Sequence, residues 1–163
     1  MKLFQGLFGK NEGIRLVAPT AGKLVSIREV SDPTFSEEIL GKGVAIIPSD
    51  GKFLSPAGGT VTTVFPTGHA VAITTEDGVE VLIHIGLDTV KLEGKNFTIH
   101  AKEGQKVQTG DLLLEADLEA IKADGYDIIT PIVICNTDAF SEILPQDSMD
   151  VVSGDLIMTL KKS

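Results

Sequence analysis

Three histidines stand in the chain, and their settings separate them. In GVEVLIHIG, residues 78–86, strict alternation puts Glu80, Leu82 and His84 on one face of an extended segment. Val79, Val81, Ile83 and Ile85 fall on the other. The second set is a core face, so His84 points away from the core at the strand's end. Gly86 follows it, and a residue without a side chain permits a tight turn and close backbone approach. His69 opens another strand after the turn FPTG. Two imidazoles at the edges of ordered elements could meet in space. An unprotonated ring nitrogen is nucleophilic, and an ordinary pKa near about 6.5 leaves much of it in that form at neutral pH. Such a pair suits phosphoryl acceptance, in which the second ring donates to the phosphoryl oxygens, or metal binding. A histidine at a strand end can equally be structural or solvated. His100, in FTIHAKEGQKV, lies among polar residues near a turn and reads as surface.

The elements that must position these residues are strands. Seventeen glycines, seven prolines and many short runs rich in Val and Ile, punctuated by DG, GG and TG, form an all-β pattern. Strands are predicted at 15–17, 22–29, 44–48, 52–54, 59–65, 70–75, 80–85, near 97, and at 112–117, 132–136 and 156–161. Short helical turns are predicted at 35–40, after Gly86, and at 118–123. The chain also resembles itself: VAPTAGKLVSI matches LSPAGGTVTTV, VAIIPSDG matches VAITTEDG, and VQTGDLL matches VVSGDLI. The offsets differ, which points to a duplicated small β-motif rather than a solenoid of one period.

With 163 residues and 42% hydrophobic content, the sequence supports one core. It reads as a flexible tail over residues 1–10 and a single domain over 11–163. A formal charge of −9 argues against nucleic acid as the main partner, because binding a polyphosphate relies on a basic patch. No apolar run is long enough to span a bilayer and no secretory leader is evident, so the cytoplasm is expected. Cys135 is the one cysteine and can form no internal disulfide; in TPIVICN it reads as a small core residue. The start, MKLFQGLFGK, could lie weakly on an anionic membrane surface, but a frayed terminus is the favoured reading.

VEVLIHIGLDTVKLEGKNF resembles the phosphorylation segment of glucose-type enzyme IIA domains of the bacterial sugar phosphotransferase system. APTAGKLVSIREVSDPTFSEEILGKGVAIIP, SPAGGTVTTVFPTGHAVAIT, EGQKVQTGDLLLEADL and TPIVICN resemble further blocks of that family, in its order, across 14–161. The resemblance implies a compact antiparallel β-sandwich with a duplicated motif and short helical turns. It implies that His84 is phosphorylated through Nε2 and that His69 contacts the phosphoryl group. It further implies that Thr67 orients His69, that the Gly86 carbonyl orients His84, and that Asp88 engages a partner at the rim. Taken as residues alone, Thr67 and Asp88 could instead cap a turn and a helix. Phe35, Ile39, Leu40, Val71 and Val90 match an apolar docking depression; exposed, they would form a small transient interface. Where the family often has Phe two residues before the active histidine, this chain has Leu82. The implied partners are the phosphocarrier protein HPr as donor and a cysteine of an enzyme IIB domain as acceptor, with regulatory proteins as further possibilities. No cofactor is expected in the transfer, and zinc could be held by His69 and His84 with a ligand from a partner. A free-standing monomer is expected, and the sugar served is not readable.

Three rival readings fit the residues less well. HIGLD spells His-x-x-x-Asp, the spacing of some zinc hydrolases, but the His-x-His that accompanies it there is missing, and catalytic zinc normally takes three protein ligands. A biotinyl or lipoyl carrier needs a lysine at a hairpin tip, usually in a DK or MKM setting, and neither Lys52 nor Lys91 has one. A regulatory binding module would need no phosphorylation, and the presence of both histidines speaks against it.

Overall fold

A computed structural model describes residues 13–163. The strands are β1 (Ile14–Val17), β2 (Gly22–Ser26), β3 (Lys42–Pro48), β4 (Lys52–Leu54), β5 (Gly59–Val64), β6 (Ala70–Thr75) and β7 (Glu80–His84). They continue with β8 (Phe97–Ile99), β9 (Lys106–Val107), β10 (Leu112–Ala116), β11 (Thr130–Ile134), β12 (Phe140–Pro145), β13 (Met149–Val151) and β14 (Leu156–Lys162). Two short helices, α1 (Pro33–Ser36) and α2 (Leu118–Ala123), are each capped by an aspartate, Asp32 and Asp117, whose carboxylate accepts from a first-turn amide. The tail expected over residues 1–10, and the membrane contact considered for it, lie outside the described residues.

An eight-stranded sheet runs β13-β2-β3-β11-β7-β6-β5-β9, and two three-stranded sheets run β1-β14-β12 and β4-β10-β8. All of their pairings are antiparallel. Leu16, Leu24, Phe53, Ile73, Ile83, Leu114, Ile132 and Met158 belong to one buried cluster drawn from all three sheets, which enclose it. The result is the antiparallel β-sandwich with few helices that the sequence implied.

The self-similar segments occupy matching places counted from the two ends of the large sheet. β13-β2-β3 leads in from one edge and β9-β5-β6 from the other. Val17 N–H donates to the Pro56 carbonyl at 3.1 Å, and Leu54 N–H donates to the Pro19 carbonyl at 2.8 Å, so the two Pro-containing segments bind each other reciprocally.

A second, smaller buried cluster positions the site. Val25, Ala45 and Val133 alternate with inward neighbours on β2, β3 and β11, so they lie on the outer face of the large sheet. Ile27, Val30 and Phe35 cover them, and Leu82 of β7 packs at the margin. Every residue of β11 is therefore buried, which accounts for the continuous apolar run that the sequence shows there. His84 shares its strand face with Leu82.

Several expectations are corrected. Residues 27–29, predicted as the end of a strand, form a 3₁₀ turn in which the Ser26 hydroxyl accepts from the Arg28 amide. β9, β12 and β13 were not anticipated; each is an outer strand of its sheet, with exposed polar positions or Pro145, so alternation is weak there. Cys135 is exposed rather than core, because β11 ends at Ile134 and the chain turns outward. Its thiol pKa is raised by partial desolvation and by the Glu80 carboxylate, which disfavours the reactive thiolate.

Candidate functional site

Register brings the two histidines together. Ala70 lies opposite His84 in the β6–β7 pair, and beyond it the Ile85 amide donates to the His69 carbonyl at 2.7 Å. Ala70 adds only a methyl beside His84, so two rings can fit where larger neighbours would collide. The ring centroids stand 4.9 Å apart with planes at 81°, edge toward face.

The turn before His69 is closed by Gly68 N–H donating to the Phe65 carbonyl at 2.7 Å and Phe65 N–H donating to the Ala70 carbonyl at 3.1 Å. His69 is 3% exposed. Its Nδ1 sits 2.6 Å from the Thr67 hydroxyl, and the Phe65 ring packs edge-on at 5.3 Å. Thus Thr67 and Phe65 hold this imidazole from two sides.

His84 is half-buried, with Nδ1 2.8 Å from the Gly86 carbonyl oxygen. A carbonyl only accepts, so Nδ1 carries the proton and Nε2 keeps its lone pair. Gly86 has φ +76°, and a side chain there would come within 2.7 Å of both the Asp127 carbonyl and the Thr89 methyl. Glycine is required to aim that carbonyl. The Phe35 ring packs against His84 at 5.1 Å.

Burial sets the protonation state. His69 is lowered from 6.5 to about 4, first by desolvation and then by repulsion from His84. His84 is also lowered by desolvation, opposed by its bond to the Gly86 carbonyl and by the charges of Asp32 and Asp88. Near neutral pH both rings are uncharged, which leaves His84 nucleophilic. For His69, protons bind the unfolded chain more readily between pH 6.5 and about 4, so folding stability falls as pH drops through that window and levels below it. Urea denaturation at stepped pH should show this slope, and His69→Gln should flatten it; an unchanged slope would contradict the depressed pKa.

Other expected site residues are more scattered. Thr67 and Gly86 contact the histidines. Asp88, exposed with φ +59°, makes no side-chain capping bond and acts on His84 through its charge alone. Ile39, Leu40 and Val90 are exposed at 69%, 40% and 50%, leaving apolar surface for contact. Phe35 and Val71 are corrections to the exposed depression: both are buried, Phe35 in the outer cluster and Val71 on the inner face of β6 opposite Ile83. His100 is surface as expected, its Nε2 2.7 Å from a Glu115 carboxylate oxygen.

Phe65 and Asp32 were missed by sequence reasoning. An aromatic residue four places before a histidine, across a tight turn, was the available signal for Phe65. Asp32 looks in sequence like a helix cap, and it is one; its charge on His84 depends on where α1 docks. Among the described residues, no three His, Cys, Asp or Glu side chains gather as a metal site. A cleft of about 670 Å³ lined by Thr60, Thr62, Thr74 and Lys106 contains neither histidine. No helix among the described residues is long and apolar enough to cross a membrane.

Residues 14–140 match the family model described as phosphoenolpyruvate-dependent sugar phosphotransferase system, EIIA 1. The chain is 42% identical over 170 residues to a PTS system glucose-specific EIIA component of Halalkalibacterium halodurans, covering 98% of each. It is 53% identical over 133 residues to a PTS system beta-glucoside-specific EIIBCA component of Bacillus subtilis, covering 80% of this chain and spanning only 22% of that longer protein. Glucose permease IIA from Mycoplasma capricolum has a similar solved structure, with a TM-score of 0.85, 36% identity, and coverage of 91% of this chain and 96% of that one.

Proposed function

Because the chain belongs to the EIIA 1 family of the phosphoenolpyruvate-dependent sugar phosphotransferase system, we propose that it carries the phosphoryl group on His84 Nε2, between the cytoplasmic donor HPr and a cysteine of an enzyme IIB domain. The observation that carries this reading is the 2.8 Å bond from His84 Nδ1–H to the Gly86 carbonyl. It leaves a lone pair on Nε2 of a neutral ring, which is what an in-line attack on phosphorus needs.

Uptake is a single displacement. The His84 Nε2–P bond forms as the donor histidine's N–P bond breaks, and the donor nitrogen regains that electron pair. The His84 ring becomes more positive, and the Gly86 carbonyl with the Asp32 and Asp88 carboxylates stabilises it. His69, held at Nδ1 by Thr67, presents its other nitrogen and donates from it to a phosphoryl oxygen. Onward transfer reverses the bond changes, a cysteine thiolate now attacking phosphorus and His84 leaving with the electron pair.

Exposed Ile39, Leu40 and Val90 offer a small apolar contact for each partner, and acidic Asp32 and Asp88 favour a donor with basic groups. An enzyme IIB partner is supported by the EIIBCA naming of the Bacillus relative. Relatives are named for glucose and for beta-glucoside, so the transporter decides the sugar. The two imidazoles could also supply two ligands to zinc, with a partner's residue as the third.

The test is incubation with phosphoenolpyruvate, enzyme I and HPr, followed by intact mass. The protein should gain one acid-labile phosphoryl group. If it stays unmodified while HPr is fully charged, the reading fails.

A further inference from the structure

Three ties converge on the turn that follows β7. Two are main-chain: Ile85 N–H to the His69 carbonyl at 2.7 Å, and Leu87 N–H to the Asp127 carbonyl at 3.0 Å. The third comes from a side chain. The Thr89 hydroxyl donates to the Ile85 carbonyl at 2.5 Å, and Thr89 is wholly buried. Its methyl fills the space that a side chain on Gly86 would need. The Ile85 residue is thus bonded at its amide to His69 and at its carbonyl to Thr89, with His84 just before it and Gly86 just after.

We propose that Thr89 is a positioning residue for phosphoryl transfer: by holding the Ile85 carbonyl with its hydroxyl, it aims the Gly86 carbonyl at His84 Nδ1 and so fixes the tautomer that exposes Nε2. Thr89 touches neither the nucleophile nor the phosphoryl group. Without its hydroxyl, the Ile85 carbonyl loses its buried donor, and the Ile85–Gly86 peptide gains freedom to rotate, which leaves Leu87 N–H alone to hold the Gly86 carbonyl in place. A wandering Gly86 carbonyl lets the proton sit on either ring nitrogen, and the molecules with Nε2 protonated cannot attack. The proposal rests on His84 being the acceptor.

The experiment compares Thr89→Val, which removes the hydroxyl and keeps the shape, with Thr89→Ser, which keeps the hydroxyl and removes the methyl. Imidazole ¹⁵N spectra near neutral pH, recorded with no phosphoryl donor present, read the tautomer directly. Wild type and Thr89→Ser should hold His84 with the proton on Nδ1, and Thr89→Val should show a mixture. In the HPr-driven assay, Thr89→Val should lose about tenfold in rate of uptake, as expected of a misaimed nucleophile, and Thr89→Ser should retain it. A folded Thr89→Val protein with the wild-type tautomer and rate overturns the proposal. So does a Thr89→Ser protein as impaired as Thr89→Val, since packing rather than the hydroxyl would then be responsible. If the valine variant does not fold, Thr89→Ala carries the same expectations. Failure of the carrier reading appears separately, as wild-type protein that takes up no phosphoryl group whatever its tautomer.

Discussion

His84→Ala should take up no phosphoryl group from charged HPr, while retaining the wild-type fold. The loss should be complete within the sensitivity of intact mass, because the other histidines cannot substitute. His69 is buried at 3% exposure, with Nδ1 engaged by Thr67, and His100 is paired with Glu115 on another sheet. The fold should survive, since His84 lies on the outer face of β7, half-exposed at the strand's end, and the inner cluster does not include it. Circular dichroism and urea denaturation provide the control. Acid-labile phosphate persisting on a folded His84→Ala protein would sink the assignment of the nucleophile.

His69→Ala should separate the two half-reactions. It removes one donor to the phosphoryl oxygens, and loss of a single preorganised donor typically lowers a rate by roughly 10²–10³-fold where charge is developing. That loss should fall mainly on transfer to enzyme IIB. There the attacking thiolate adds its own negative charge to the anionic phosphoryl group, so a donor in place matters most. Uptake from HPr brings in a neutral leaving imidazole and whatever donors the HPr surface supplies, and should survive. The expected result is a variant that becomes phosphorylated and then discharges slowly. Equal loss in both directions would mean that His69 serves to hold His84 rather than to meet the phosphoryl group. His69→Gln, which keeps a donor in the side chain, should recover part of the onward rate only if donation is the role.

Much of this arrangement was legible without coordinates. Alternation in GVEVLIHIG put His84 on the outward face, and the buried set Val79, Val81, Ile83 and Ile85 bears that out. The helix expected at 118–123, where acidic residues open a short Leu and Ile pattern, has those bounds, and Asp117 caps it. The short outer strands β9, β12 and β13 were not legible, since a strand paired on one side tolerates polar residues and proline and loses its periodic signature.

The sequence by itself determined what depends on near neighbours: the all-β class, the facing of His84, and glycine at 86, where φ is +76° and no side chain fits. Tertiary structure decided what depends on residues far apart in the chain. The β6–β7 register brought His69 within 4.9 Å of His84. Docking of residues 27–35 over the outer face buried Phe35 against His84 and added the charge of Asp32. Burial in the packed fold, rather than anything intrinsic to a histidine, lowers both pKa values, and at His84 the Asp32 charge opposes it. Local periodicity records which way a side chain points, and only the packed fold settles what it meets there and how much water remains around it.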